Sequence, residues 1–203
     1  MELVYLVDDD DAVTRALSRV LREEGWEVET FGSAEAFLAR ASSQRYGCLV
    51  LDVHMPGLDG LDLQRRLRET GQALPIVFLS GQGDIPMSVQ AIKAGAADFL
   101  TKPVTSQALA QAVRNAFDQE AANRRGHDER TDLERRFATL TAREREVLVA
   151  VAKGRLNKQI AGDLGIVEQT VKFHRARIME RMQAHTAAEL MHIAATLGFH
   201  RQG

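Results

Sequence analysis

Cys48-Leu49-Val50-Leu51-Asp52-Val53-His54-Met55-Pro56-Gly57-Leu58-Asp59-Gly60 decides how the first half of the chain is read. Cys48 to Leu51 is a short apolar run of strand length, and it stops at an acid followed by a Pro-Gly turn signal. Runs of the same kind stand at Leu3 to Val7 and Glu27 to Phe31 upstream, and at Ile76 to Ser80 and Phe99 to Leu100 downstream. Helical patterns separate them. Thr14 to Gly25 carries Ala16, Leu17, Val20 and Leu21 at helical spacing and stops at a glycine. Ser33 to Ala41 opens on an N-capping serine, with Ala36, Phe37 and Leu38 as its apolar side. Leu61 to Thr70, Pro86 to Ala94 and Ser106 to Asp118 complete the alternation. Five strands alternating with five helices predict an α/β domain, a five-stranded parallel sandwich over residues 1–118.

In such a sheet ligands bind beyond the carboxyl ends of the strands. Asp8 and Asp9 follow the first strand, Asp52 ends the third, Ser80 ends the fourth and Lys102, then Pro103, follows the fifth. Taken alone, Asp52 is a turn residue before Pro56 and Gly57, and the acids from Asp8 to Asp11 are helix caps, a role that still suits Asp10 or Asp11. The joint placement at four strand ends overrides that reading for Asp8, Asp9 and Asp52. Three clustered carboxylates require a bound cation or raised pKa values. A hard divalent ion, Mg2+ or Mn2+, fits oxygen donors and keeps positions open for a phosphoryl oxygen. Asp52 can then act as a nucleophile toward phosphorus, with Lys102 and Ser80 holding the oxygens on which charge develops.

The chain has 203 residues, 45% of them hydrophobic, with 26 basic and 28 acidic side chains, a composition that excludes disorder and collagen-like repeats. Its halves differ in sign: residues 1–118 hold 11 basic and 17 acidic groups, net −6, and residues 119–203 hold 15 and 11, net +4. The basic half is the one expected to meet nucleic acid. Cys48 is the one cysteine, which excludes an intramolecular disulfide and a structural zinc site of several thiolates. The acidic start and the lack of a long apolar run argue against a signal peptide and a membrane span, so a cytoplasmic protein with no membrane contact is expected.

Residues 119–136 turn charged around Gly126 and read as a linker with helical potential. Residues 137–203 then read as a separate all-α domain of four helices, over Thr141 to Ala152, Asn157 to Leu164, Val167 to Met182 and Thr186 to Leu197. Thr141 and Glu144 make a capping box, and the Gly165-Ile166 turn sets the third helix across the second. On that third helix Val171, His174, Ile178 and Met182 share one side, the core side. Gln169, Lys172, Phe173, Ala176 and Arg177 share the other, a mixture of base, amide, aromatic and methyl suited to groove edges. An exposed phenylalanine is unusual on a merely solvated face. Lys158 and Arg175 are assigned to phosphates.

Residues 1–118 resemble the receiver domain of two-component response regulators. The match rests on Val7-Asp8-Asp9, on Leu51 to Gly60, on Ser80, on Lys93-Ala94-Gly95-Ala96 and on Asp98-Phe99-Leu100-Thr101-Lys102-Pro103. Residues 137–200 resemble the helix-turn-helix output domain of the NarL/FixJ (LuxR-type) regulators, through Leu140-Thr141, Arg143-Glu144, Glu146-Val147-Leu148, Gly154, Asn157 to Ala161, Leu164, Thr170-Val171-Lys172, His174, Ile178 and Met182. Ser80 to Met87 and Ala91 to Pro103 are closest to the FixJ branch.

The resemblance implies that Asp52 accepts phosphate from a separate sensor histidine kinase. It implies that Asp8, Asp9, Asp52 and the main-chain oxygen of His54 hold magnesium, that Ser80 and Lys102 bind the phosphoryl group, and that Phe99 rotates inward with Ser80 on activation. It also implies a cis peptide before Pro103. The His54 imidazole is expected at the cleft mouth, governing water access and not binding metal. Phosphorylation is expected to form a homodimer through Ile85-Pro86-Met87 to Ala91 and Lys93, beside Phe99, with Leu190, Met191 and Ile193 either a second contact or core. The dimer would bind double-stranded DNA and activate transcription with RNA polymerase. A phosphatase would need an aspartate two residues after Asp52, where His54 stands. A phosphorylation-controlled protein-binding module would differ in weak, salt-insensitive DNA binding.

Overall fold

The computed structural model describes residues 2–40, 47–71, 74–81 and 85–199. Ala41 of the expected second helix, Gln82, Gly83 and Asp84 of the FixJ-like run, and residues 200–203 lie outside the described residues. The chain divides into two compact units, Met1–Asn123 and Arg124–Gly203.

The first unit alternates β1 (Leu3–Val7), α1 (Asp11–Glu23), β2 (Glu27–Phe31), α2 (Ala34–Arg40), β3 (Gly47–Asp52), α3 (Gly60–Glu69), β4 (Ile76–Ser80), α4 (Ile85–Lys93) and β5 (Asp98–Thr101), and then enters α5 (Ser106–Ala138). The strands pair in parallel in the order β2-β1-β3-β4-β5. Successive strand residues face opposite ways. Leu3, Tyr5, Val7, Leu49, Leu51 and Phe78 pack with Phe37, Leu63 and Leu67 on one side. Val4, Leu6, Cys48, Val50, Val77 and Leu79 pack with Leu21, Leu109 and Val113 on the other. A sheet covered on both faces explains why β1, β3 and β4 read as nearly unbroken apolar runs. Because the strand order reverses around β1 and β3, their carboxyl ends open the crevice that receives Asp8 and Asp52.

Most element boundaries fall within a residue or two of the sequence pattern, and the two larger differences, at the start of α1 and the end of α5, each have a local reason. α1 starts at Asp11 and not at Thr14, because the Asp10 carboxylate caps it by accepting the Ala12 N–H at 2.7 Å and the Val13 N–H at 3.3 Å. α5 does not stop at Asp118; it is helical across residues 119–136 and on to Ala138. Intrahelical pairs support that charged stretch, Arg130 with Glu134 at 2.9 Å and Arg136 with Asp132 at 2.5 Å. Leu133 is buried in the core of the second unit, ahead of the expected boundary at residue 137.

The second unit adds α6 (Ala142–Ala152), α7 (Asn157–Leu164), α8 (Glu168–Met182) and α9 (Ala187–Thr196). Val147, Leu148, Ile160, Val171, Ile178, Met182, Leu190 and Ala194 form its core. The capping box is present: Glu144 N–H donates to Thr141 Oγ1, and Glu144 Oε2 accepts the Thr141 N–H at 2.8 Å. The turn between α7 and α8 depends on Gly165 at φ +63°, a left-handed conformation in which a side chain is strained.

Candidate functional site

Asp8, Asp9 and Asp52 each offer a carboxylate oxygen, and these oxygens lie within 4.8 Å of one another. Asp8 and Asp52 are almost fully buried, at 1% and 5% exposure, while Asp9 faces solvent. The Lys102 ammonium reaches into the cluster, 2.6 Å from Asp8 Oδ2 and 3.2 Å from Asp52 Oδ1. Its backbone is set by the Lys102 N–H, which donates to the Ser80 carbonyl at 2.7 Å, and the peptide to Pro103 is cis. The other Asp8 oxygen accepts the Asp10 N–H at 2.9 Å. Asp10 itself caps α1, so the acidic run divides into site residues and a cap.

Burial is the largest influence on Asp52 and pushes its carboxyl up; Lys102 pulls it down, Asp8 and Asp9 push it up again, and the balance lies above the ordinary carboxylate value. Burial opposes the Lys102 charge as well, but the hydrogen bond to Asp8 and the charges of Asp52 and Asp8 outweigh it and raise the pKa of the ammonium. One ammonium therefore stands against three carboxylates. That deficit of positive charge, with oxygen donors only, fits a hard divalent cation. The cluster found among the described residues does not include the His54 imidazole, which is exposed.

Ser80 is wholly buried at the end of β4. Phe99 is half-buried on β5, its ring 6.3 Å from that of Phe78. On α4, Val89 and Ile92 are each 46% exposed. Ala91, included above in the expected dimer surface, is instead fully buried, because its side of α4 packs on the sheet.

The loop after Asp52 is pinned at several points. The Val53 N–H donates to the Leu79 carbonyl at 2.9 Å, and the Gly60 N–H closes the loop on the Val53 carbonyl at 3.0 Å. Gly60 is a packing requirement, since a Cβ there would collide with the Asp52 carbonyl oxygen. Met55 and Leu58 are buried. The Leu58 N–H donates to Glu35 Oε1 of α2 at 3.0 Å. Sequence reasoning did not single out Glu35, and no local signal could have: it is an ordinary acid in the first turn of a helix until the fold brings β3 beside it.

In the second unit, Gln169, Lys172, Phe173, Ala176 and Arg177 of α8 are exposed, Phe173 at 56%, while Val171, Ile178 and Met182 are buried. The Arg177 guanidinium lies over the Phe173 ring at 5.2 Å from its centroid. Lys172 stands 3.7 Å from Glu168 one turn back. Lys158 on α7 is exposed. Arg175 is half-buried and donates to Asn157 Oδ1 at 3.0 Å, tying α8 to α7. His174 is half-buried on the core side, its Nδ1 without a hydrogen-bond partner. Leu190 is core and Ile193 packs on it, leaving Met191 as the exposed member of that trio.

Residues 4–114 match the response regulator receiver domain, and residues 138–194 match the bacterial regulatory proteins of the luxR family. The chain is 45% identical to the response regulator protein TodT of Pseudomonas putida strain F1, over 96% of this chain and 86% of that protein. It is 40% identical to the transcriptional regulatory protein FixJ of Rhizobium meliloti strain 1021, over 97% and 96% of the two. Among solved structures, the response regulator StyR matches at a TM-score of 0.76 and 44% identity, covering 96% of this chain and 98% of that one. Full-length FixJ from B. japonicum matches at a TM-score of 0.61 and 36% identity, covering 97% of each chain. Among the described residues no helix is long and apolar enough to cross a membrane.

Proposed function

Because the chain belongs to the NarL/FixJ family of response regulators, which join a receiver domain to a LuxR-type DNA-binding domain and regulate transcription in response to phosphorylation, we propose that Asp52 is its phosphoacceptor and α8 its DNA-reading helix. A histidine kinase and DNA are the partners this pair of domains implies. The observation that carries the reading is the cluster of Asp8, Asp9 and Asp52, with Lys102 bridging Asp8 and Asp52.

An Asp52 oxygen attacks the phosphorus of a phosphohistidine; the O–P bond forms as the P–N bond breaks, and the imidazole leaves with the electron pair. Lys102 holds one phosphoryl oxygen, and the Ser80 hydroxyl donates to another once activation brings it in. Asp8, Asp9, Asp52 and the His54 carbonyl would hold Mg2+ or Mn2+, which when bound offsets the charge of the carboxylates and phosphoryl oxygens. A hollow of about 400 Å³ beside Lys102, lined by Val13, Ala16, Leu17, Pro103 and Val104, suits the apolar flank of the kinase element that carries the histidine.

The new phosphoryl charge draws Ser80 and Phe99 inward and alters the surface of α4 and β5, where exposed Val89 and Ile92 supply apolar area for a two-fold homodimer. The paired α8 helices then read two half-sites, with Gln169, Lys172, Phe173, Ala176 and Arg177 toward bases and Lys158 toward phosphate. Arg175 contributes mainly by holding α7 against α8 through Asn157. The output is activation of transcription with RNA polymerase in the cytoplasm.

The test is retention of genomic DNA fragments at several salt concentrations, with and without beryllofluoride and magnesium, for wild type and Asp52→Asn. Tight, sequence-selective retention only by activated wild type is expected. Selective retention indifferent to activation would remove the switch, and none in any state would remove the DNA-binding role.

A further inference from the structure

We propose that Glu35 is a positioning residue for the phosphoacceptor site: its carboxylate holds the loop after Asp52 so that the His54 main-chain oxygen is presented to the acidic cluster. This rests on the reading of Asp8, Asp9, Asp52 and His54 as the metal-holding set.

The loop from Val53 to Gly60 is closed at its base by the hydrogen bond between those two residues, and Met55 and Leu58 anchor it by burial. The Glu35 bond to the Leu58 N–H ties the far side of the loop to α2, whose Ala34 and Phe37 share a buried cluster with Met55 and Leu58. Gly57 carries the complementary signature. It sits at φ +80°, a conformation in which a side chain is strained, and a Cβ there would lie 2.8 Å from Glu35 Oε1, so the carboxylate lies close under the turn. The Glu35 carboxylate is bound by its own backbone N–H and by that of Leu58, which keeps it well ionised, with Ser33 and the more distant Arg66 adding to the effect.

Removing the tether leaves the loop to be ordered when the cation binds, and affinity falls by that ordering cost. Glu35→Ala should raise the half-saturating magnesium concentration by about tenfold, the loss expected when a group that orients a metal ligand is removed. The readouts are calorimetric titration of the full chain with Mg2+ alone and the Mg2+-dependent rise in thermal midpoint. Glu35→Gln keeps an acceptor oxygen and should recover most of the affinity. Phosphorylation of Glu35→Ala by acetyl phosphate should need a correspondingly higher Mg2+ concentration to reach half its maximal rate.

Wild-type Mg2+ affinity in Glu35→Ala overturns the inference, and so does a lowered metal-free midpoint with unchanged Mg2+ affinity, which marks a merely structural role. Failure of the underlying reading looks different: wild type would bind no Mg2+, or Asp52→Asn would still be phosphorylated.

Discussion

Asp52 in the first unit and Glu144 in the second are both carboxylates withdrawn from solvent, at 5% and 2% exposure, yet their surroundings drive them in opposite directions. Burial is the largest influence on each and raises both. Around Glu144 the chain supplies enough to reverse it: Thr141 through backbone and side chain, and Arg181, whose Nη1 donates to Glu144 Oε2 at 3.0 Å, so the pKa ends below the ordinary value. Around Asp52 a single ammonium is shared with Asp8, and the pKa ends above it. A buried charge that the chain satisfies by itself is structural. One left short of positive charge is a site waiting for something the chain does not contain.

The largest expected effect separates the two outright. Asp52→Asn should abolish phosphorylation by acetyl phosphate, read by intact mass, and should raise the thermal midpoint of the metal-free protein at neutral pH because it removes a poorly compensated charge. Glu144→Ala should do the reverse, destabilising the second unit by about 1–2 kcal/mol, as for the loss of a helix cap. Trp26 is the one tryptophan and lies in the first unit, so urea unfolding should show the loss in far-ultraviolet circular dichroism with the fluorescence transition unmoved.

Acid should erase the contrast, one side before the other. Glu144 has a lowered folded pKa, so its stabilisation is present above the ordinary carboxyl value of about 4 and is lost as pH falls through the folded value. Asp52 has a raised folded pKa, so ionising it costs stability, and that cost disappears as pH falls through its folded value. The midpoint difference between Asp52→Asn and wild type should therefore close at higher pH than the difference between Glu144→Gln and wild type.

The remaining effects concern DNA. Lys172→Ala should weaken discrimination between operator and random DNA by about 1–3 kcal/mol. Lys158→Ala should weaken all sequences alike and reduce the salt slope by about 1, measured by fluorescence anisotropy at several salt concentrations. Full discrimination in Lys172→Ala would mean that the reading face of α8 is misplaced.

The strands β1, β2 and β4 were legible to the residue, β1 and β4 because a sheet covered on both faces demands unbroken apolar runs. The Thr141–Glu144 capping box was legible because both partners lie within one turn. Three features were not. The charged stretch 119–136 has no apolar stripe, and its continuation as helix depends on intrahelical ion pairs and on Leu133 finding a core. Arg175 reads as a surface cation until Asn157 is seen opposite it. Ala91 belonged to an expected surface because a short helix with apolar residues on several sides does not reveal which side meets the sheet.

The sequence by itself determined the alternation of strands and helices, the acids and the lysine at the strand ends, and the polar and apolar sides of α8, because these follow from local periodicity and chain order. The tertiary structure decided the rest. It brought Asp8, Asp52 and Lys102 to within 2.6–3.2 Å through parallel pairing of β1, β3, β4 and β5, and it separated Asp10 as a cap from Asp8 and Asp9. It also placed Glu35 under the loop after Asp52. Contacts of that kind join residues far apart in the chain, and no pattern within one element encodes which of them will meet.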